Sequence, residues 1–294
     1  MVAAIRGVQA RWLWASLGVA LLAVSLRWLK WHLMQGCLGV KQSVLGTCRS
    51  LLGSYALGSL TPGRAGDLGR FLFVTPALCK PTLLLTLVDK CLDAWSVLAI
   101  GGIAALVAGP IWLKATGGTL LALLAWAILS APRIHRCFLD SRFATGKFAA
   151  YFPDLHRFCP DRLSTLGSVA LLAALAETGT LLLLLQAFNC PHQIVALVAY
   201  PCMILAGALP LSLGGLGPRE SAATLLLPHF AVSAAVAVNI SLLFFAFTLL
   251  LPGVLGVILV ALLPPQRGLG WLRSLRLHGL SAGARQPASQ HISL

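Results

Sequence analysis

The sequence predicts an all-α integral membrane protein: a polytopic helix bundle with two re-entrant helical hairpins that read as an inverted repeat. Three observations lead there. Of 294 residues, 58% are hydrophobic and only 10% charged, whereas a soluble domain has about a quarter of its residues charged, so there is too little polar surface to cover a water-soluble globule. Long apolar segments recur along the chain, with a mean hydropathy of +0.88, which is the pattern of several membrane spans. Two further apolar segments are interrupted by Pro and Gly in corresponding places, and irregular backbone survives at membrane depth only where it is buried or lines a wet cavity.

The elements follow in order within one membrane domain, residues 1–263. The first span, 12–29, runs into Arg27-Trp28-Leu29-Lys30-Trp31. With no small-x-small cleavage site, it reads as a retained helix ending in a basic, aromatic interfacial anchor rather than as a signal peptide. Residues 43–80 form the first expected hairpin, and spans at 82–109 and 115–131 come next. The stretch 132–164 interleaves six basic residues, among them Arg133, Arg136 and Arg142, with Phe143, Phe148, Tyr151, Phe152 and Phe158, as expected for a cytoplasmic amphipathic loop. A span at 165–188, the second hairpin at 192–230 and a last span at 233–263 complete the membrane part. Residues 264–294 read as a basic, poorly ordered cytoplasmic tail.

The net charge of +14, from 22 Lys and Arg against 8 Asp and Glu, is spread between apolar segments. It fits the positive-inside bias of a chain facing an anionic leaflet, not a nucleic-acid-binding domain. Placing the clusters at 27–80, 132–164 and the tail inside puts the N-terminus outside and makes both hairpins turn back within the bilayer. The eight cysteines include no C-x-x-C and no Cys/His pair at metal spacing, so no metal, disulfide framework or cofactor is expected.

The breaks carry the chemistry. The first reads Ser59-Leu60-Thr61-Pro62-Gly63-Arg64-Ala65-Gly66-Asp67-Leu68-Gly69-Arg70, and the second runs from Leu209-Pro210 through Gly214-Gly215-Leu216-Gly217-Pro218 to Arg219-Glu220. In each, an apolar helix is broken and then followed by Arg, a carboxylate and a new helix start. Arginine beside a Gly-rich helix start is an anion receptor, because backbone N–H groups and guanidinium converge on one spot. Arg64, Arg70 and Arg219 are therefore candidate lipid-headgroup ligands. Asp89 and Asp93, at i and i+4, share one helix face with Lys90 beside it. With Asp67 and Glu220 they are candidate ion-pair or gating partners, and simple bracing of the hairpins needs the same residues. Glu177, inside an apolar span, is a candidate for proton coupling or for a hydrogen bond to a neighbouring helix. No G-x-S-x-G, H-E-x-x-H or P-loop is present, and Ser212 or Ser221 with His229 is a poor hydrolase pairing, so no enzyme is expected.

Leu26-Arg27-Trp28, the segment Leu60 to Arg70, Val88-Asp89-Lys90-Cys91-Leu92-Asp93, and the segment Leu209 to Glu220 followed by Pro252-Gly253 and Gly256 together resemble the ordered motifs of the lysylphosphatidylglycerol synthase transmembrane-region family over about residues 20–263. The resemblance implies a stand-alone, flippase-like membrane domain without a synthase domain, in a cell (inner) membrane. Its polar motif positions are Arg64, Asp67, Arg70, Asp89, Asp93, Arg219 and Glu220. Lys90 stands where the family commonly has Arg, and Thr61 where Leu is common. The pattern usually has one more hydrophobic helix before the Arg27-Trp28 motif, and the chain starts too late for it, in keeping with the outside N-terminus. The expected function is movement of an anionic phospholipid or a polyprenyl-phosphate-linked intermediate between leaflets. The alternatives are an accessory subunit of an envelope-lipid enzyme and a lipid-modifying transferase. The expected partners are membrane lipid and either such an enzyme or a second copy of the chain.

Overall fold

The computed structural model describes residues 8–37, 42–74, 78–108, 111–139, 162–190 and 194–262. Among these residues the chain is helical and has no strands: α1 (Ala10–Cys37), α2 (Val44–Leu60), a 3-10 segment (Ala65–Phe73), α3 (Cys79–Ala108), α4 (Ile111–Leu139), α5 (Leu163–Ala187), α6 (Val195–Gly207), α7 (Pro218–Leu226), a 3-10 turn (Leu227–Phe230), α8 (Ala234–Phe245) and α9 (Leu251–Leu262). A wide π turn, Ala246–Leu250, joins α8 to α9 just before Pro252. Proline has no N–H to give and its ring crowds the carbonyl four residues back, so the loosened turn lies where the ordinary ladder cannot close.

Four stretches are long and apolar enough to cross a membrane: Ala10–Cys37, Pro81–Ala108, Leu163–Ala187 and Ala234–Leu262. The polytopic all-α expectation therefore holds. The expected span at 115–131 lies inside α4, which runs on unbroken to Leu139. The start of the expected amphipathic loop is thus helix. Its part at 140–161 lies outside the described residues, as does the tail at 264–294.

α2 has 17 residues and α6 has 13, which at ~1.5 Å per residue gives roughly 25 and 20 Å, short of a ~30 Å hydrocarbon core. Both end at the Pro/Gly breaks. After the first break the chain continues not as a new α-helix but as the 3-10 segment, pressed against the last turns of α2. A Cβ on Gly66 would overlap the Leu57 carbonyl, so only glycine permits this approach of backbone to backbone.

The packing is reciprocal. α1 lies along α5, both burying small residues such as Ala20, Ala23, Ala170 and Ala173, which lets membrane helices approach closely. α2 packs on α9, whereas α6 packs on α3, so each short helix leans on the long helix that follows the other break. The breaks themselves meet. Pro62 and Leu213 form an antiparallel bridge, with the Gly63 N–H donating to the Ser212 carbonyl at 3.4 Å and the Gly214 N–H donating to the Thr61 carbonyl at 3.2 Å. Backbone groups that no helix can satisfy are satisfied by the opposite break.

The α2–α9 contact depends on the absence of a side chain at Gly256, where a Cβ would overlap the Leu52 carbonyl. Gly256→Ala is expected to destabilise the fold by about 1–3 kcal/mol despite alanine's better helix propensity. Thermal unfolding followed by size-exclusion in detergent would check this, and an unchanged midpoint would contradict the close contact.

Candidate functional site

Asp89 and Asp93 are one helical turn apart on α3, so both carboxylates point to one side. Opposite them α1 presents Arg27 and Lys30. Lys30 Nζ lies 2.7 Å from Asp89 Oδ1 and 2.5 Å from Asp93 Oδ1. Arg27 reaches Asp93 Oδ2 at 3.3 Å with one nitrogen and Glu177 Oε2 of α5 at 2.8 Å with the other. Tyr200 of α6 donates its hydroxyl to the same Glu177 oxygen at 2.9 Å. From the 3-10 segment, Arg70 reaches Asp89 Oδ2 at 2.8 Å. Its guanidinium lies 4.5 Å from the centre of the Trp31 ring, and its Nε donates to Ser54 Oγ at 3.3 Å.

Asp67 begins a second, shallower set. Its Oδ2 is shared by Arg64 at 3.2 Å and Lys90 at 2.8 Å. Burial opposes ionisation of Asp67, but Arg64 and Lys90 outweigh it and hold the carboxyl below its ordinary value. Arg64 has a left-handed backbone, φ 60°, straight after Gly63 at φ 56°, an uncommon conformation for a residue with a side chain. These residues wall a cavity of about 320 Å³ at the meeting of the breaks. Its charged side is Arg27, Arg64, Asp67, Lys90 and Asp93, and its apolar side includes Val97, Ile204 and Leu205.

The second break behaves differently. Arg219 is buried at 2% exposure, and its Nε and Nη1 have no hydrogen-bond partner. It packs beside Gly207 and 5.3 Å from the Phe245 ring centre. Burial, reinforced by Arg64, lowers the guanidinium to about 10, which leaves it charged at neutral pH. Glu220 does not pair with it. Its carboxylate accepts from the Gly217 N–H at 2.5 Å and from Ser241 Oγ at 3.2 Å, capping α7 and tying it to α8. Arg219 is therefore a buried cation with no carboxylate in direct contact among the described residues, a costly arrangement in such surroundings.

The structure thus brings Asp67, Asp89, Asp93, Glu177, Arg64 and Arg70 into one cluster, and places Arg219 and Glu220 beside it in separate roles. It corrects the reading of Arg27 and Lys30. They are not interfacial anchors: Lys30 is 1% exposed, and both lie at the centre of the ion-pair network. Counting them among cytoplasmic charges therefore weakens the charge-based topology. The signal was present in the spacing: Arg27/Lys30 at i, i+3 and Asp89/Asp93 at i, i+4 each put two like charges on one helix face. Tyr200 had no signal beyond being a polar group in an apolar helix.

The fold and the site define a multi-pass α-helical membrane protein with an ionised cluster and a cavity in its interior. The chain belongs to the lysylphosphatidylglycerol synthase transmembrane-region family, whose model matches residues 1–256. That family is a membrane domain linked to lipid handling and is not itself a catalytic domain. A comparison with curated proteins finds no match.

Removing one partner from a buried pair leaves an uncompensated charge and costs about 3–5 kcal/mol. Asp89→Asn is therefore expected to lower the unfolding midpoint sharply. Arg70→Met added to it should recover part of the loss, since Lys30 keeps Asp93. Additive losses in the double variant, measured by thermal unfolding in detergent, would contradict the pairing.

Proposed function

We propose that the protein moves an anionic phospholipid, or a lipid-linked intermediate, between leaflets, with the headgroup held where the two breaks meet. The observation that carries this reading is the two-sided cavity, with Arg27, Arg64 and Lys90 on one wall and Val97, Ile204 and Leu205 on another. A phosphate is matched by the first wall and the start of an acyl or prenyl chain by the second. The short helices joined tip to tip, each leaning on the other's long helix, support an inverted pair of re-entrant hairpins around a midplane site.

Roles follow from geometry. Arg64 can leave Asp67 for a phosphate while Lys90 still holds the carboxylate. Arg219, buried beside Gly207 behind the cavity wall and engaged in no ion pair among the described residues, offers a second cation to a cavity that opens toward it. Asp93, shared by Arg27 and Lys30, can exchange partners as the cavity changes shape. Arg70 fits bracing better than headgroup binding, because it is engaged with Asp89, Ser54 and Trp31 and lies outside the cavity wall. The depth of the Lys30–Asp89–Arg70 pairing also favours a second reading, in which the cluster is wholly structural and the protein is an accessory subunit of a lipid enzyme.

Leaflet-accessibility assays in proteoliposomes separate the two. Arg64→Gln and Arg219→Gln are expected to lower movement of a fluorescent anionic phospholipid by at least about tenfold, in line with loss of a charge-assisted contact, while the protein still folds. Equal movement by folded variants and wild type, or none by correctly inserted wild type, would sink the transport reading in favour of the accessory one.

A further inference from the structure

We propose that the cavity selects lipids whose headgroup carries a single negative charge, one phosphodiester, over phosphomonoester, diphosphate and zwitterionic headgroups. The inference rests on the lipid-moving reading and deepens it by naming the substrate class.

It comes from counting charge. Of the chain's eight acidic residues, three fall in 140–161; the other five are Asp67, Asp89, Asp93, Glu177 and Glu220. No further carboxylate exists among the described residues to balance the interior. Against these stand the cations Arg27, Lys30, Arg64, Arg70, Lys90 and Arg219, so six cations face five carboxylates. Arg49, which donates to the Phe73 carbonyl, is not part of the cavity wall.

The surplus can be located. Arg27, Lys30 and Arg70 divide Asp89, Asp93 and Glu177 among themselves, and that deep set is neutral. Arg219 and Glu220 do not pair, but both lie off the cavity wall and their opposite charges leave the count unchanged. What remains is Asp67 against Arg64 and Lys90, with Lys90 also 3.9 Å from the Asp93 carboxylate that Arg27 and Lys30 share, and the residual positive charge therefore sits on the cavity wall. These two cations are also the least buried of the ion-paired set, with side chains 20% and 31% exposed, so the surplus charge faces the space a headgroup would enter.

In a low-dielectric interior the cheapest ligand is the one that brings the site to neutrality. A phosphodiester does so. A phosphomonoester, carrying about −1.5 to −2 near neutral pH, overshoots and buries an unpaired negative charge. A zwitterion leaves the surplus in place and adds an ammonium among cations.

The test is movement of tail-labelled lipids in proteoliposomes at pH 8. The probes are phosphatidylglycerol, phosphatidylcholine and a polyprenyl monophosphate, with labelled inorganic phosphate as a separate arm. Wild type is expected to move phosphatidylglycerol at least about tenfold faster than either other lipid, the scale set by an uncompensated charge. Asp67→Asn, which enlarges the surplus, should shift preference to the polyprenyl monophosphate. Lys90→Gln, which removes it, should let phosphatidylcholine move as fast as phosphatidylglycerol. Equal wild-type rates for all three lipids, or faster movement of the monophosphate, overturn the charge selection and leave the transport reading standing. Carriage of inorganic phosphate with no lipid movement overturns the lipid reading itself, and this inference with it.

Discussion

An ionised group taken into a bilayer has to be accompanied by its counter-charge, and in this protein the counter-charges come from different parts of the chain. Asp89 is shared by Lys30 of α1 and Arg70 of the 3-10 segment, and Asp93 by Lys30 and Arg27. Through Glu177 and Tyr200 the same network reaches α5 and α6. None of these elements can shift far without parting a buried pair. The cluster therefore fixes relative positions that apolar packing between helices in lipid, with no hydrophobic drive to press them together, would specify less sharply.

A second constraint is the backbone's own. Residues 61–64 and 208–217 are outside regular helix, and their N–H and C=O groups need partners. Some are met within each break, and the Pro62–Leu213 bridge adds two hydrogen bonds across them. Gly215, at φ 80° and with the Gly207 carbonyl where a Cβ would be, lets the second break fold back onto α6 and bring Arg219 beside it. The cavity is thus a by-product of two helices that stop short and are closed off by each other.

Much of this was legible in the sequence. The spans show as apolar runs, and the breaks show as Pro and Gly followed by Arg and a carboxylate, because helix interruption has strong local signals. The shared helix face of Asp89 and Asp93 follows from their spacing, and of the arginines in the preceding break it is Arg70 that reaches Asp89. What local pattern did not carry was partner choice across the chain. Arg27 and Lys30 sit next to tryptophans at the end of an apolar run, the usual look of an interfacial anchor, and only the tertiary arrangement brings them against α3. Glu220 is similar: beside Arg219 it suggests an ion pair, yet three residues after Gly217 it is placed to cap α7, and the local hydrogen bond wins.

The reciprocal packing also bears on how the chain is made. α2 emerges early, but the surface it needs, the Gly253 and Gly256 face of α9, lies about two hundred residues further on. At ~5–20 residues per second that is a wait of roughly 10–40 seconds. During that interval a short helix followed by Arg64, Asp67 and Arg70 has neither its α9 packing partner nor the opposite break to bond its backbone. α3, close behind, brings Asp89 and Lys90, so the charges can find each other before the backbones do. The ion pairs, with the apolar contacts among Trp31, Leu51, Tyr55 and Leu85, join residues made early, and the glycine contact joins residues made last.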